Sequence, residues 1–264
     1  MNPETIQQLA KRLDASWEGA IPPIEPLSST DHLQSIEDAY RIQSAWNEIR
    51  VRKGERVIGR KIGLTSRAIQ QQLGVNQPDF GVLWRSRYFP TTGTTARIPH
   101  HLFLQPRVEG ELAFLLGQPL EGPHITPQEV LAATEALAVS IEIVDSRIKD
   151  WRIKIFDTIA DNASYGGFTV GPWQRTLKYA DLRLLGMQIY HNGEPAIQGI
   201  GAAALGHPAR AVAWLANTLN QYHITLKPGD IVLSGALGAT IPAAPGDTFT
   251  VCVTNQEPLT VHFE

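Results

Sequence analysis

The stretch Gln105-Pro-Arg-Val-Glu-Gly-Glu-Leu-Ala-Phe-Leu-Leu116 decides how the chain is read. As a strand it sends successive side chains to opposite faces. One face then carries Val108, Gly110, Leu112, Phe114 and Leu116, and the other Arg107, Glu109, Glu111, Ala113 and Leu115. Glu109 and Glu111 share a face, about 7 Å apart along the backbone. In a buried sheet, like charges this close are unfavourable unless a cation lies between them. Gly110 has no side chain and is expected to admit backbone or ligand closely. Taken alone, a Glu-x-Glu pair more often marks an edge strand with two solvated carboxylates, because short motifs recur by chance.

A third glutamate changes that balance. The run Val139-Ser-Ile-Glu-Ile-Val-Asp145 puts Val139, Ile141 and Ile143 on one face and Glu142 on the other, between Ser140 and Val144. A carboxylate inside so apolar a strand is costly without a cation, a partner or a proton. Three such glutamates form a hard oxygen set that suits magnesium, manganese or calcium better than zinc. The eight histidines make no His-Glu-x-x-His spacing, and no EF-hand loop is present. Neither a Gly-x-Ser-x-Gly elbow nor a glycine-rich phosphate loop occurs.

Further along the face pattern, Arg56-Val-Ile-Gly-Arg-Lys-Ile-Gly-Leu64 reads as a strand in which Gly59 and Gly63 flank Lys61 on its own side. That spacing leaves room for a ligand beside the ammonium group. An exposed edge lysine that discourages sheet pairing is the plainer alternative. Gln77-Pro-Asp-Phe-Gly81 is turn chemistry, so Asp79 is expected on a loop, as turn former or catalytic carboxylate. Arg147 to Asp161 is polar and mixed. It reads as an active-site loop with a short helix that carries Lys154, Asp157 and Asp161.

The remaining elements give the architecture. Helices are expected over residues 4–17, from the Ser35 cap to Gly54, from Thr65 to Leu73, from the Thr126 capping box to about Ala138, and from His207-Pro208 onward. Asn192-Gly193 marks a hairpin, and Cys252 sits in a strand-like run as a buried thiol. Strands dominate the last two thirds without βαβ alternation, which points to an α+β fold with a largely antiparallel or mixed sheet. Residues 1–75 make an N-terminal helical cap region and residues 76–264 the β domain.

Composition narrows the function. A hydrophobic share of 43% over 264 residues supports a sizeable core. The net charge of −3 without a basic patch argues against nucleic-acid binding. No apolar run approaches membrane-spanning length, and residues 1–8 have no leader-like core. A single cysteine fits a reducing cytoplasm.

Several runs together resemble the 2-keto-4-pentenoate hydratase family of the fumarylacetoacetate hydrolase superfamily. They are Arg56 to Ser66, Leu73 to Gly81, Gln105 to Glu111, Val144 to Trp151, Asp161-Asn-Ala-Ser164 and Leu233-Ser-Gly-Ala-Leu-Gly238. The resemblance spans nearly the whole chain in matching order. It implies a mixed β-roll behind the helical cap. It also implies that Glu109, Glu111 and Glu142 hold Mg2+ or Mn2+, and that Lys61 and Asp79 take part in catalysis. Lys154 matches a Lys-x-Phe-Asp-Thr segment near the site in related enzymes. The implied reaction adds water to 2-hydroxypenta-2,4-dienoate, giving 4-hydroxy-2-oxopentanoate, in meta-cleavage degradation of aromatic compounds. The resemblance further implies a cytoplasmic homo-oligomer and association with 4-oxalocrotonate decarboxylase or a downstream aldolase. Lys61, buried beside a cation, is expected to have a lowered pKa. One departure is Thr254-Asn-Gln-Glu-Pro-Leu259, where the family has a glycine-rich turn.

Three other readings stand beside this one. A related branch decarboxylates 4-oxalocrotonate with the same glutamates and lysine, but its segment matching Gln77-Pro-Asp-Phe80 lacks the aspartate, so Asp79 favours the hydratase. The chain could also be a non-catalytic partner of that decarboxylase, or an acid-rich structural domain that no magnesium stabilises.

Overall fold

The computed structural model describes residues 1–72 and 74–264. Among the described residues the strands are β1 (Val57–Gly63), β2 (Asp79–Trp84), β3 (Thr95–Ile98), β4 (Arg107–Leu116), β5 (Thr134–Val144) and β6 (Tyr165–Val170). They continue with β7 (Gly186–His191), β8 (Glu194–Ile200), β9 (Ile231–Leu233), β10 (Ile241–Pro242), β11 (Thr248–Val253) and β12 (Leu259–Phe263). Seven form one sheet in the order β2-β1-β9-β4-β5-β6, with β10 also on β4, and five form a second in the order β3-β12-β11-β7-β8. Only β1–β9 and β12–β3 are parallel among these pairs, so both sheets are mixed. The chain is thus α+β, and β1 already belongs to the seven-stranded sheet.

The alternation in β4 orients the two sheets. A side-chain carbon added at Gly110 would lie 2.4 Å from Met187 Sδ and 3.1 Å from Val251 Cγ1 of the second sheet. Gly110 therefore lets the sheets pack closely, and the space beside it is filled by the core rather than by a ligand. Its neighbours Val108, Leu112, Phe114 and Leu116 are buried with it. The glutamate face of β4 consequently points away from the second sheet. Gly59 plays a similar part at a register shift in β1, where a side-chain carbon would meet the Ile231 carbonyl at 1.8 Å. It brings β9 close and makes no ligand space for Lys61.

Helices close the open side of the large sheet. The helix Pro3–Trp17 is capped by Asn2, and the helix Ile36–Arg52 by Ser35, whose Oγ accepts from Asp38 N. They bring Trp17 and Trp46 edge-on to Trp84, each with ring centroids 5.0 Å away. Arg147, fully buried, lies 5.4 Å from the Trp17 ring and 5.3 Å from the Trp46 ring. Gln43 of the second helix donates to Phe80 O and Ile159 O, both at 2.8 Å. The N-terminal region is thereby fastened to the segments that carry the site.

Several expectations change on contact with the fold. The helix after Thr126 spans only Pro127–Ala133, and β5 begins at Thr134. Ala136, Leu137 and Ala138 pair with Leu115, Phe114 and Ala113, so cross-strand pairing overrides their helical propensity. The helix expected from Thr65 to Leu73 is Arg67–Gln72; Leu73 lies outside the described residues. Asp79 is the first residue of β2, buried opposite Gly63, not a loop residue. Cys252 faces outward from β11 and is half-buried, with burial still raising its thiol pKa.

Other readings match the fold. Asn192 and Gly193 turn β7 into β8 with φ of 53° and 88°, the left-handed pair that a tight hairpin requires. At the last hairpin Asn255 supplies a φ of 58° where glycine is usual, and β11 and β12 pair antiparallel. Val212, Leu215, Ala216 and Leu219 are buried along the helix Pro208–Asn220. Among the described residues no helix is long and apolar enough to cross a membrane.

Candidate metal centre and active site

Pairing of β4 with β5 sets Glu109 opposite Glu142. Each of Glu109, Glu111 and Glu142 offers a carboxylate oxygen within 4.8 Å of the others. Glu111 and Glu142 are fully buried, and Glu109 is half-buried at the cavity wall. Gly235 N donates to Glu111 Oε2 at 2.9 Å. Glu111 Oε1 and Glu142 Oε2 have no hydrogen-bond partner among the described residues. Burial, then repulsion from Glu142, pushes the Glu109 carboxyl up to about 7. Burial likewise raises Glu111 well above the usual carboxylate range and raises Glu142, which Lys61 partly offsets. Converging, buried oxygens with unsatisfied lone pairs fit a hard divalent cation, which would hold all three groups ionised.

Lys61 stands beside this cluster. Its Nζ donates to Ala163 O at 2.8 Å and lies 3.0 Å from Glu142 Oε1, and the side chain is buried. Burial alone pulls its pKa down, but the carboxylates of Glu142, Glu109, Asp79 and Glu111 together hold it above the ordinary lysine value. Four acids from three strands thus surround one ammonium group, and in the absence of a cation they outweigh the lowering by burial.

Asp79 reaches the same place from β2. A side-chain carbon at Gly63 would lie 2.2 Å from Asp79 Oδ1 and 3.6 Å from Lys61 Nζ. Gly63 is thus the residue that makes room for the carboxylate beside the lysine. Burial raises the Asp79 pKa, while Lys61 and the Thr158 hydroxyl oppose that rise.

These groups open onto a cavity of about 750 Å3, whose wall includes Lys61, Asp79, Glu109, Thr158 and Ser164. Arg107 and Trp151 form part of its rim, with the guanidinium carbon 4.9 Å from the Trp151 ring centroid. Lys154 is not brought there. It precedes the helix Ile155–Ala160, its side chain is exposed, and its backbone N–H donates to Asp157 Oδ2 at 2.9 Å. Asp157 and Asp161 serve structure. Asp157 accepts from Ser28 N and Oγ at 2.9 and 2.7 Å, and Asp161 pairs with Arg147 Nε at 2.6 Å.

Residue-by-residue reading of the sequence left Arg107, Trp151, Thr158 and Ser164 without a role. All but Thr158 fall inside runs that carry the family resemblance, and so do Ala236 and Gly238, which also line the cavity. Those runs were the available signal.

Comparison with known proteins gives the family of the chain. Residues 57–263 match the family model described as fumarylacetoacetate (FAA) hydrolase C-terminal. The 2-hydroxyhexa-2,4-dienoate hydratase of Comamonas testosteroni is 46% identical over 240 residues, covering 91% of this chain and 90% of that protein. A 2-keto-4-pentenoate hydratase of Paraburkholderia xenovorans is 42% identical over 264 residues, covering 100% of this chain and 97% of its own length. Among solved structures, 4-oxalocrotonate decarboxylase from Pseudomonas putida G7, complexed with magnesium and adipate, superposes with a TM-score of 0.94. That match has 29% identity and covers 100% of this chain and 99% of the other. The chain belongs to the 2-keto-4-pentenoate hydratase family, within the fumarylacetoacetate hydrolase superfamily.

Proposed function

We infer that this chain is a metal-dependent hydro-lyase that adds water to 2-hydroxypenta-2,4-dienoate, giving 4-hydroxy-2-oxopentanoate, in aromatic meta-cleavage degradation. The observation that carries this is the clustering of three carboxylates with a buried lysine and a buried aspartate, of which Glu109, Lys61 and Asp79 line one cavity. Relatives named as hydratases of such dienoates support the reaction type.

Glu109, Glu111 and Glu142 are the residues that would hold the cation, Mg2+ or Mn2+. A bound divalent cation supplies Lewis-acid stabilisation for negative charge on the oxygens of an oxo acid. The chain's own groups move the protons. Net hydration needs the 2-hydroxyl proton to leave as C5 takes one up, giving the 2-oxo-3-enoate, and then one water to add as hydroxide at C4 and a proton at C3. Lys61 and Asp79, held together by Gly63, are the acid and base within reach of the cavity. Lys61, with its Nζ 3.0 Å from Glu142 Oε1 and donating to Ala163 O, is placed to hold or pass a proton at the cavity wall. Lys154, outside the cavity, is left without a step.

The decarboxylase reading has one specific support, the close superposition on 4-oxalocrotonate decarboxylase. Asp79 at the cavity wall favours hydration. A purified, metal-stripped chain assayed with Mg2+ add-back separates the two. Loss of the dienoate absorbance without carbon dioxide release supports the hydratase, and carbon dioxide release from 4-oxalocrotonate supports the rival. Inactivity of the chain alone on both would favour a partner subunit. A closed homo-oligomer, a cytoplasmic location and association with the decarboxylase or a downstream aldolase belong to the same reading, and size-exclusion with light scattering tests the first.

A further inference from the structure

The cavity wall holds a hydroxyl that the proton-transfer pair does not use. Ser164 lines the cavity and is 5% exposed, yet its Oγ has no hydrogen-bond partner among the described residues. Buried hydroxyls are normally satisfied, so one that is unpaired inside a ligand cavity marks a place for a ligand atom. Ser140, Thr169 and Ser234 also carry unpaired hydroxyls, but none of the three lines the cavity.

The backbone that presents Ser164 is unusual for its residue types. Asn162, Ala163 and Ser164 have φ of 54°, 52° and 53°, three successive non-glycine residues in the left-handed region. Such a conformation persists only where the surroundings over-determine it. Here Asn162 accepts from Val82 N at 2.7 Å and donates to Val82 O at 3.0 Å. Ser164 N donates to Asp161 O at 3.0 Å, and Asp145 N donates to Ser164 O at 2.8 Å. Asp161 is in turn fixed by the buried Arg147. The result of this turn is twofold. It aims Ala163 O at Lys61 Nζ, and one residue later it sets Ser164, with its buried hydroxyl, at the wall of the same cavity.

We propose that Ser164 is a catalytic residue whose Oγ–H donates a hydrogen bond to an oxygen of the oxo acid bound beside Lys61. This rests on the reading of the cavity as an oxo-acid site.

The test uses the full chain with Mg2+, the variants Ser164→Ala and Ser164→Gly, and 2-oxopentanoate as a non-reacting probe followed by tryptophan fluorescence, since Trp151 lines the cavity. Both variants are expected to bind the probe about tenfold more weakly and to lose about tenfold or more in kcat/KM. Their Mg2+ titrations are expected to match the parent, as is the thermal midpoint of Ser164→Ala. Glycine relieves the left-handed strain whereas alanine keeps it, so a hydroxyl role predicts equal losses. Probe binding and turnover at the parent level in Ser164→Ala would overturn the proposal, as would recovery of both in Ser164→Gly alone. The binding arm is separate from the assigned reaction. A parent chain that binds 2-oxopentanoate but hydrates no dienoate contradicts the hydratase, while weakened binding in both variants still supports Ser164.

Discussion

Lys61 Nζ stands 3.0 Å from Glu142 Oε1, with both side chains buried. One cation of the chain is thus built into the acid cluster, and its removal should affect chemistry more than metal loading. Lys61→Met is expected to cut kcat by about 100-fold or more. Isothermal titration with Mg2+ should give an affinity no weaker than the parent's, because a competing positive charge has gone. A rate within twofold of the parent would make Lys61 structural.

Glu142 has the opposite role. Glu142→Ala removes one of three converging oxygens and is expected to weaken Mg2+ binding by about 100-fold or more, since ligand count sets affinity for a hard cation. Activity should fall with it and return only at high metal, if at all. Titration of the metal-stripped variant, with the parent alongside, checks this. An unchanged titration would remove Glu142 from the ligand set.

Gly63 is a steric requirement rather than a chemical one. A methyl group there would lie 2.2 Å from Asp79 Oδ1, backed by a buried strand. Gly63→Ala is expected to displace the carboxylate, lowering kcat/KM by about tenfold or more and stability by about 1–3 kcal/mol, the usual range for overpacking. Urea unfolding and steady-state kinetics measure both. Full activity would mean that Asp79 does not need its present position.

The acid cluster also gives a pH dependence with a definite sign. Glu109 is raised from 4.5 to about 7, and Glu111 and Glu142 are raised as well. Without metal the folded chain therefore binds more protons than the unfolded chain from about pH 4.5 to 7, and its stability falls as pH rises through that window. A divalent cation binds the deprotonated cluster, so the rise in Tm on adding Mg2+ should be small at pH 5 and larger at pH 8. Thermal melts with and without Mg2+ across this range test it. An equal rise at both ends would place the metal elsewhere.

How much of this was legible in the residues depends on how local each cause is. The two faces of β4 and the odd carboxylate in β5 follow from side-chain alternation, which needs no partner strand. The end of the helix after Thr126 was misplaced because Ala136-Leu137-Ala138 favours helix locally, while β4 supplies the pairing that wins. Gly59, Gly63 and Gly110 look alike in sequence, yet only Gly63 borders the cavity; the others admit β9 and Met187. The direction of the Lys61 shift depends on acids from β2, β4 and β5, and the Ser164 hydroxyl on a turn held by Val82, Asp145 and Arg147. Such assemblies are tertiary, and no spacing along one strand encodes them.

The most direct measurement is anomalous scattering from crystals of the chain soaked in Mn2+. The expected result is one strong peak enclosed by oxygens of Glu109, Glu111 and Glu142, within about 2.0–2.6 Å of each, the span of hard-cation contacts. A peak bound by other residues, or three carboxylates turned apart with no peak between them, would contradict the metal centre and the reaction assigned to it.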